Sequence, residues 1–534
     1  MIHQIRGLVM PILTTLLIAC VAVGWGMDVF AARIAAAPMG AIVLLGVHDL
    51  VQRKHSILRN FPVLGHLRFL LEDVGPELRQ YVVEHNTEGR PFNRDQRSLV
   101  YQRSKGLLDK KPFGTELDVY LPGHHWLTHS LETRPPLEDP ARKLRIDVGG
   151  PDCSQPYSSS FFNISAMSFG SLSASAIQAL NEGARRGGFA HNTGEGGISR
   201  YHEKPGGDLI WQVGTGYFGC RRSDGGFDPE RFREAAASEH VRMIELKLSQ
   251  GAKPGHGGIL PGEKVTPEIA EARRIEIGTD CISPASHQAF DGPTGLLEFV
   301  SELRSLAGGK PVGFKLAIGR PVEFLSICRA IHETGLAPDF VSVDGGEGGT
   351  GAAPIEFSDH MGMPLLEAIV LVNNALIGIG VRERIRVFAS GKRITSIALA
   401  HAAALGADAV NSARGFMLAL GCIQAQRCHT NRCPVGVATQ DPRLAHALHV
   451  ENKAERVERF HASTLKALAE VVAAAGLSHP SELSPEDIYQ RVSPWEIRPL
   501  SALYPTLSPG ALIDSTAHGF LREAWNASSA SSFR

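Results

Sequence analysis

Val312-Gly-Phe-Lys-Leu-Ala-Ile318, the helix-length stretch Val322 to Thr334 and Phe340-Val-Ser-Val343 follow one another in close succession. Two short apolar runs separated by a helix constitute a βαβ unit, and strands joined by such crossovers lie parallel. The same texture extends both ways. Phe161-Phe162-Asn163-Ile164-Ser165-Ala166, Met243 to Leu248, Ile385 to Ala389 and Ala409-Val410 read as further strands. Ser173 to Arg185, Gly295 to Ala307, Pro364 to Ile377 and Thr395 to Leu405 read as helices, the first with a serine start and a Gly187-Gly188 stop. Weaker strand positions near Ala190 and Cys281 bring the count to eight, the number that closes a (β/α)8 barrel. An open doubly wound sheet is the alternative.

Lys+Arg is 54 and Asp+Glu 55 among 534 residues, which excludes a nucleic-acid-binding surface spread over the whole protein. A hydrophobic content of 43% with 56 glycines excludes wholesale disorder, and eight cysteines are too few for a disulfide scaffold. Residues 52 to 150 show no alternation of strands and helices. The last ninety residues hold one helix, Lys453 to Ala474, before Pro-rich sequence and a Ser-rich tail.

From Gly7 to Met27 there is no charged residue before Asp28, and Val29 to Val47 is interrupted only by Arg33. Each run is long enough to cross a hydrocarbon core of ~30 Å at ~1.5 Å per residue. A short turn at Asp28 makes them a transmembrane hairpin, with Arg33 able to snorkel. Arg6 before it and Arg53, Lys54, Arg59 and Arg68 after it put both ends on the cytoplasmic side of the inner (plasma) membrane. A signal peptide cleaved near Ala31-Ala32 or Ala35-Ala36-Ala37, or two buried helices of a soluble protein, are the competing readings.

Cys422, Cys428 and Cys433-Pro434 stand in a C-x5-C-x4-C block. Thiolates close in sequence let one loop wrap one iron–sulfur cluster, although His429 leaves a Cys3His zinc site open. Thr193-Gly-Glu-Gly-Gly197, Asp344-Gly-Gly-Glu-Gly-Gly-Thr-Gly351 and Ser390-Gly391-Lys392 follow predicted strands, where barrel enzymes keep active-site and phosphate loops. Gly346-x-Gly348-x-x-Gly351 matches the dinucleotide fingerprint literally, but Pro354 and Pro364 disturb the helix it requires. Lys253, in Gln250-Gly-Ala-Lys-Pro-Gly-His-Gly-Gly258, can act as a fixed cation for a carboxylate. Lys247 and Lys315 sit inside apolar strands, so they must face a barrel mouth or be paired.

Taken together the chain resembles the flavin-binding synthase domain of glutamate synthase. The matching stretches are Ser165 to Ser173, Asn192 to Gly197, Gln250 to Gly255, Asp344-Gly-Gly with Gly349 to Ala352, and Leu420 to Gln440, in the family's order. The resemblance implies a (β/α)8 barrel with FMN at the carboxyl ends of its strands and a [3Fe-4S] cluster on Cys422, Cys428 and Cys433. It implies substrate contacts at Lys253 and Glu195, and flavin contacts at Ser168, Thr193 and Lys315. Gly345 and Gly346 are further implied cofactor contacts, and Gly391 and Lys392 the implied phosphate loop, with Arg414 as a further phosphate donor. The implied reaction makes L-glutamate from 2-oxoglutarate and ammonia through 2-iminoglutarate, with electrons from a separate ferredoxin or flavoprotein reductase subunit. The family's glutaminase domain and carboxyl-terminal β-helix have no counterpart. Tyr217 stands where the family carries arginine, and Ile259 where it carries glutamine.

The expected organisation is a membrane anchor at 1–55, an extension at 56–150, the barrel at 151–440 and a helical extension at 441–534. The alternatives are a related FMN and iron–sulfur imino-acid or amine oxidoreductase, a membrane electron-transfer module without catalysis, and a zinc hydrolase.

Overall fold

A computed structural model of the chain describes residues 2–533; the side chains of residues 2–7, Arg6 among them, and of Ile259 lie outside the described part. The chain forms two compact units, Met1–Arg94 and Asp95–Arg534, so that the division falls inside the segment 56–150.

In the first unit, helix Ile2–Val21 runs into a π-helical turn, Ala22–Gly26, and a three-residue connection leads to helix Phe30–Val51. The two pack antiparallel. Gly46 lies against Met10, Gly40 against Leu17 and Gly24 against Arg33, where a Cβ would come within 2.9 Å of the Arg33 amide. Arg33, the one charge of the second run, sits at the turn: it donates to the Gly24 carbonyl at 2.7 Å and pairs with Asp28. The helical segments Ser56–Asn60 and Leu64–Leu78 follow.

The second unit is built on a closed, all-parallel barrel. Its strands are β1 (Phe162–Ile164), β2 (His191–Asn192), β3 (Leu209–Val213), β4 (Val241–Lys247), β5 (Val312–Leu316), β6 (Phe340–Asp344), β7 (Arg386–Ser390) and β8 (Ala409–Ser412). β8 closes onto β1 with Val410 opposite Phe162 and Ser412 opposite Ile164. The barrel itself agrees with the sequence reading, but two strand positions differ. Cys281–Ile282 is not a barrel strand; it pairs antiparallel with Ile259–Leu260 in the long excursion after β4. Leu209–Val213, absent from the expectation, takes the vacant place. Its inward positions carry Ile210 and Gln212, so its polar residue reads as loop until the barrel interior supplies a partner.

Inward positions alternate along each strand, and this builds layers. At the amino end, Ile210, Met243, Phe340, Phe388 and Ala409 form an apolar layer, plugged from below by Val148 and Tyr157 of the hairpin Arg145–Val148/Tyr157–Ser160. Two residues further along, Glu245 accepts from Asn192 at 2.8 Å, Gln212 at 2.6 Å and Ser342 at 2.5 Å. Two residues further still, Lys247 and Asp344 reach the mouth. Outside the barrel, helix Ala174–Gly187 starts with the Ser173 hydroxyl accepting from the Ala176 amide at 3.2 Å and ends on Gly188 at φ +67°. Helix Val450–Ala474 packs on it so closely that a Cβ at Gly183 would meet the Ala454 carbonyl at 2.7 Å.

Candidate active site

The loop after β2 turns through Gly194 at φ +66°, where a Cβ would lie 2.6 Å from the Ser168 amide. Only glycine permits that approach, and it carries Glu195 over the mouth. Glu195 Oε1 meets Lys247 Nζ, at the end of β4, at 2.8 Å. Burial pushes the Glu195 carboxyl up, but Lys247, Arg273 and Lys253 outweigh it and hold it below the usual carboxylate range. Lys253, in the loop after β4, is 7% exposed, donates to the Gly257 carbonyl at 3.5 Å and has no ion pair among the described residues. Burial lowers its ammonium below the ordinary lysine value. Glu195, Thr215, Lys247, Gln250, His256 and Pro284 border a polar recess beside it.

The end of β4 is held in place. His287 Nε2 lies 2.9 Å from the Lys247 carbonyl, which only accepts, so the neutral ring carries its proton there. Nδ1 is then the acceptor, and the Tyr217 hydroxyl, 3.1 Å away, donates to it. The same oxygen accepts from the Gln288 and Ala289 amides at 3.2 and 3.1 Å. Tyr217 therefore has no hydrogen-bonding capacity left for a ligand. Burial pushes His287 down to about 4, which keeps the ring neutral.

Below the recess, Lys315 Nζ lies 3.3 Å from Asp344 Oδ2, and that oxygen also accepts from the Gly251 amide at 2.9 Å. Burial would lower Lys315, but Asp344 and Glu245 overcome it and raise the ammonium. Both intrastrand lysines thus face the mouth and are paired.

Across the mouth, the loops after β6 and β7 meet: the Gly345 amide donates to the Ser390 carbonyl at 2.9 Å, and the Gly346 amide to the Met363 carbonyl at 2.8 Å. A Cβ at Gly345 would sit 2.7 Å from the Leu365 amide, and one at Gly349 2.7 Å from Arg414. Lys392 follows Gly391 at φ +47°. Arg414 donates to the Glu347 carbonyl at 2.7 Å, and Arg393 reaches the Glu347 carboxylate at 3.5 Å. That carboxylate accepts from the Leu365 amide at 3.0 Å, at the first residue of helix Leu365–Gly378. An internal anion thus occupies the helix amino terminus beside two half-buried guanidinium groups.

The cysteine block follows the short helix Arg414–Leu420 after β8. It is tied down at two of its cysteines: Tyr101 donates to the Cys422 carbonyl at 2.7 Å, and Lys264 to the Cys428 carbonyl at 2.9 Å. Gln440 donates to the Gly170 and Leu172 carbonyls at 3.1 and 2.8 Å, placing the block beside the loop after β1. Burial, with the neighbouring thiols adding to it, pushes Cys422 up to about 12 and raises Cys428. Among the described residues no three His, Cys, Asp or Glu side chains converge on one ion, so a Cys3His arrangement with His429 is not assembled.

Glu195, Lys253 and Lys315 therefore line one continuous mouth with Gly345, Gly346, Gly391, Lys392 and Arg414, the Lys253 loop abutting Gly345 at Gly251 and Lys315 pairing with Asp344 just before it. Ser168 shares its hydroxyl with Ser171 at 3.0 Å and Arg273 at 3.4 Å. Thr193 is fully buried; its hydroxyl donates to the Gly194 carbonyl at 3.0 Å and accepts from the Gln212 amide at 3.1 Å. Sequence reasoning missed Glu347, Arg393 and His287. Arg393, directly after Gly391-Lys392, carried a signal; the other two carried none.

The region Asp152 to Ser478, which holds the barrel and the cysteine block, matches the model of a conserved region in glutamate synthase. A glutamate synthase large subunit-like protein, YerD, of Bacillus subtilis is 38% identical over 500 residues, covering 86% of this chain and 95% of that one. Archaeal-type glutamate synthase [NADPH] of Thermotoga neapolitana is 36% identical over 314 residues, 59% of each chain. Archaeal glutamate synthase [NADPH] of Methanocaldococcus jannaschii is 37% identical over 316 residues, again 59% of each. A barrel whose charged mouth and cysteine block fall wholly inside the matched region is the part held in common, and on that ground the chain belongs to the glutamate synthase family.

Proposed function

We propose that this protein is a glutamate-synthase-type oxidoreductase that forms L-glutamate from 2-oxoglutarate and ammonia. The observation that carries the reading is Lys253, a buried cation without an ion pair among the described residues, set beside the Glu195–Lys247 pair in a recess of the barrel mouth. Condensation of the oxo group with ammonia releases water and gives 2-iminoglutarate; two electrons and two protons then convert the imine to the amine. Lys253 grips a substrate carboxylate, and Glu195, held ionised, accepts a hydrogen bond from the nitrogen. Lys315, pinned by Asp344, places a positive charge where negative charge develops on reduction.

Lys392, Arg393 and Arg414, the cations around Gly345, Gly346 and Gly391, suit a phosphate, so FMN fits there, while the Leu365 amide is already taken by the Glu347 carboxylate. Lys315, Ser168 and the main chain of Thr193 are on the ring side; the Thr193 hydroxyl is spent internally. FMN supplies hydride chemistry that side chains cannot. Cys422, Cys428 and Cys433, brought into one loop beside Lys264, are a donor set that would hold a [3Fe-4S] cluster, whose chemistry would be to pass single electrons from a separate ferredoxin or flavoprotein reductase subunit. Leu8–Gly26, which runs from the first helix through its π-helical turn, and Phe30–Val51 are apolar stretches of 19 and 22 residues and cross the inner membrane, leaving the barrel cytoplasmic.

A second reading, another 2-oxo or imino acid as substrate, is favoured by the saturated Tyr217 hydroxyl, which offers no charge to a distal carboxylate. Titrating 2-oxoglutarate into the detergent-solubilised protein while following flavin absorbance separates the two. A spectral change at sub-millimolar ligand, lost in Lys253→Ala, supports glutamate formation. A flavin that ignores 2-oxoglutarate but responds to a monocarboxylic 2-oxo acid selects the second reading. A chain that takes up no FMN overturns both.

A further inference from the structure

Helix Leu64–Leu78 presents an apolar stripe to the outside. Leu67, Leu71, Val74 and Leu78 follow at spacings of four, three and four, and are 56%, 52%, 37% and 47% exposed; Leu64 and Leu70 flank them at 44% and 58%. Glu72 and Asp73 lie on the opposite face and Arg68 and Glu77 at its borders, with Arg68 paired to Glu72 at 2.7 Å. An apolar stripe of this width is the face a helix buries. Among the described residues nothing covers it.

The position of the helix indicates what does. Asp49, in the last turn of helix Phe30–Val51, is fully buried; its carboxylate accepts from the Val63 amide at 2.9 Å and bonds His66 Nε2 at 2.9 Å. A Cβ at Gly65 would lie 2.9 Å from the Leu58 side chain, so the intervening turn Ser56–Asn60 is packed against the helix start. The amino end of Leu64–Leu78 is thereby fixed at the end of the second apolar helix, at the depth where that helix leaves the hydrocarbon.

We propose that Leu64–Leu78 is an interfacial helix lying in the plane of the bilayer, with Leu67, Leu71, Val74 and Leu78 sunk into the acyl boundary. The proposal rests on the reading of Phe30–Val51 as a membrane span. It takes a lipid surface as partner, because a stripe tethered at that depth meets lipid before it meets anything else. The exposed apolar residues Tyr81, Val82 and Val83, at 50%, 73% and 67%, extend the contact beyond the helix.

The test uses the full chain reconstituted into phosphatidylcholine–phosphatidylglycerol vesicles, with and without bromine on the acyl chains. Trp25, inside the first apolar stretch, reports insertion of the hairpin through the quenching that Trp25→Phe removes. Leu71→Trp is expected to add a bromine-quenched emission comparable to that of Trp25, and Leu67→Trp repeats the measurement one turn earlier. Asp73→Trp, on the polar face, is expected to add unquenched emission. Trp25 quenched with Leu71→Trp and Leu67→Trp both unquenched overturns the interfacial helix alone. Blue-shifted but unquenched emission at those two sites assigns the stripe to a protein partner and overturns the interfacial helix equally. No quenching at Trp25 overturns the membrane reading, and the proposal with it.

Discussion

The two ends of the barrel are made from the same strands, two to four residues apart, and do opposite work. At the amino end the inward residues Met243, Phe340 and Phe388 are apolar and close-packed under Tyr157. At the carboxyl end the same strands carry Lys247, Asp344 and Ser390. Between them Glu245 holds three donors. Glu245 and its three donors satisfy one another and so separate the close-packed bottom from the charges above it. Charge at the mouth is tolerable because each ion has its partner within reach or a recess for a ligand.

That division has measurable consequences. Phe388→Ala, at the bottom, is expected to cost about 4 kcal/mol in denaturant unfolding, while ligand affinity of the folded protein stays unchanged; an equal loss of affinity would mean the ends are coupled. Asp344→Ala strips the counter-charge from buried Lys315 and should cost about 3 kcal/mol. Unlike Phe388→Ala, it should also lower flavin retention, which bound FMN per protein will show. Lys253→Ala should weaken 2-oxo acid binding at least tenfold, about 1.4 kcal/mol, yet move the unfolding free energy by no more than about 0.5 kcal/mol.

Acid should act on both ends. Burial pushes His287, at the mouth, down to about 4, and His461, on helix Val450–Ala474, down to about 3 from an ordinary 6.5. Below pH 6.5 the unfolded chain takes up the protons that the folded one refuses. Stability is therefore full above pH 6.5 and falls through the window from 6.5 towards 4 and 3. Between pH 6.5 and 5.5 the loss is about 1 kcal/mol per histidine. His461, stacked on Phe189 at a centroid distance of 3.9 Å and bonded to Ser160 at 2.9 Å, is the cleaner probe. His461→Phe should flatten its share of the slope in thermal unfolding at stepped pH.

Strands with several consecutive apolar residues, such as Val312–Leu316 and Phe340–Asp344, were legible because both of their faces are buried, one in the barrel and one under helices. Leu209–Val213 was not, since Gln212 looks like a loop residue without Glu245 opposite. Cys281–Ile282 reads as a barrel strand from sequence because two apolar residues carry no information about which partner they will pair with. Helix Leu64–Leu78 has a regular apolar spacing, hidden by Gly75 and Pro76 near its end.

By itself the sequence determined the barrel class, the apolar hairpin, the lysines that had to be paired, and the cysteine block, because each depends on residue type and spacing within one segment. Only the tertiary structure decided that Glu195 pairs with Lys247, that Tyr217 is saturated by His287 and two amides, and that Glu347 sits between Arg393 and a helix amino terminus. Those contacts join groups 18 to 72 residues apart, and their partners are chosen by how strands register and loops pack.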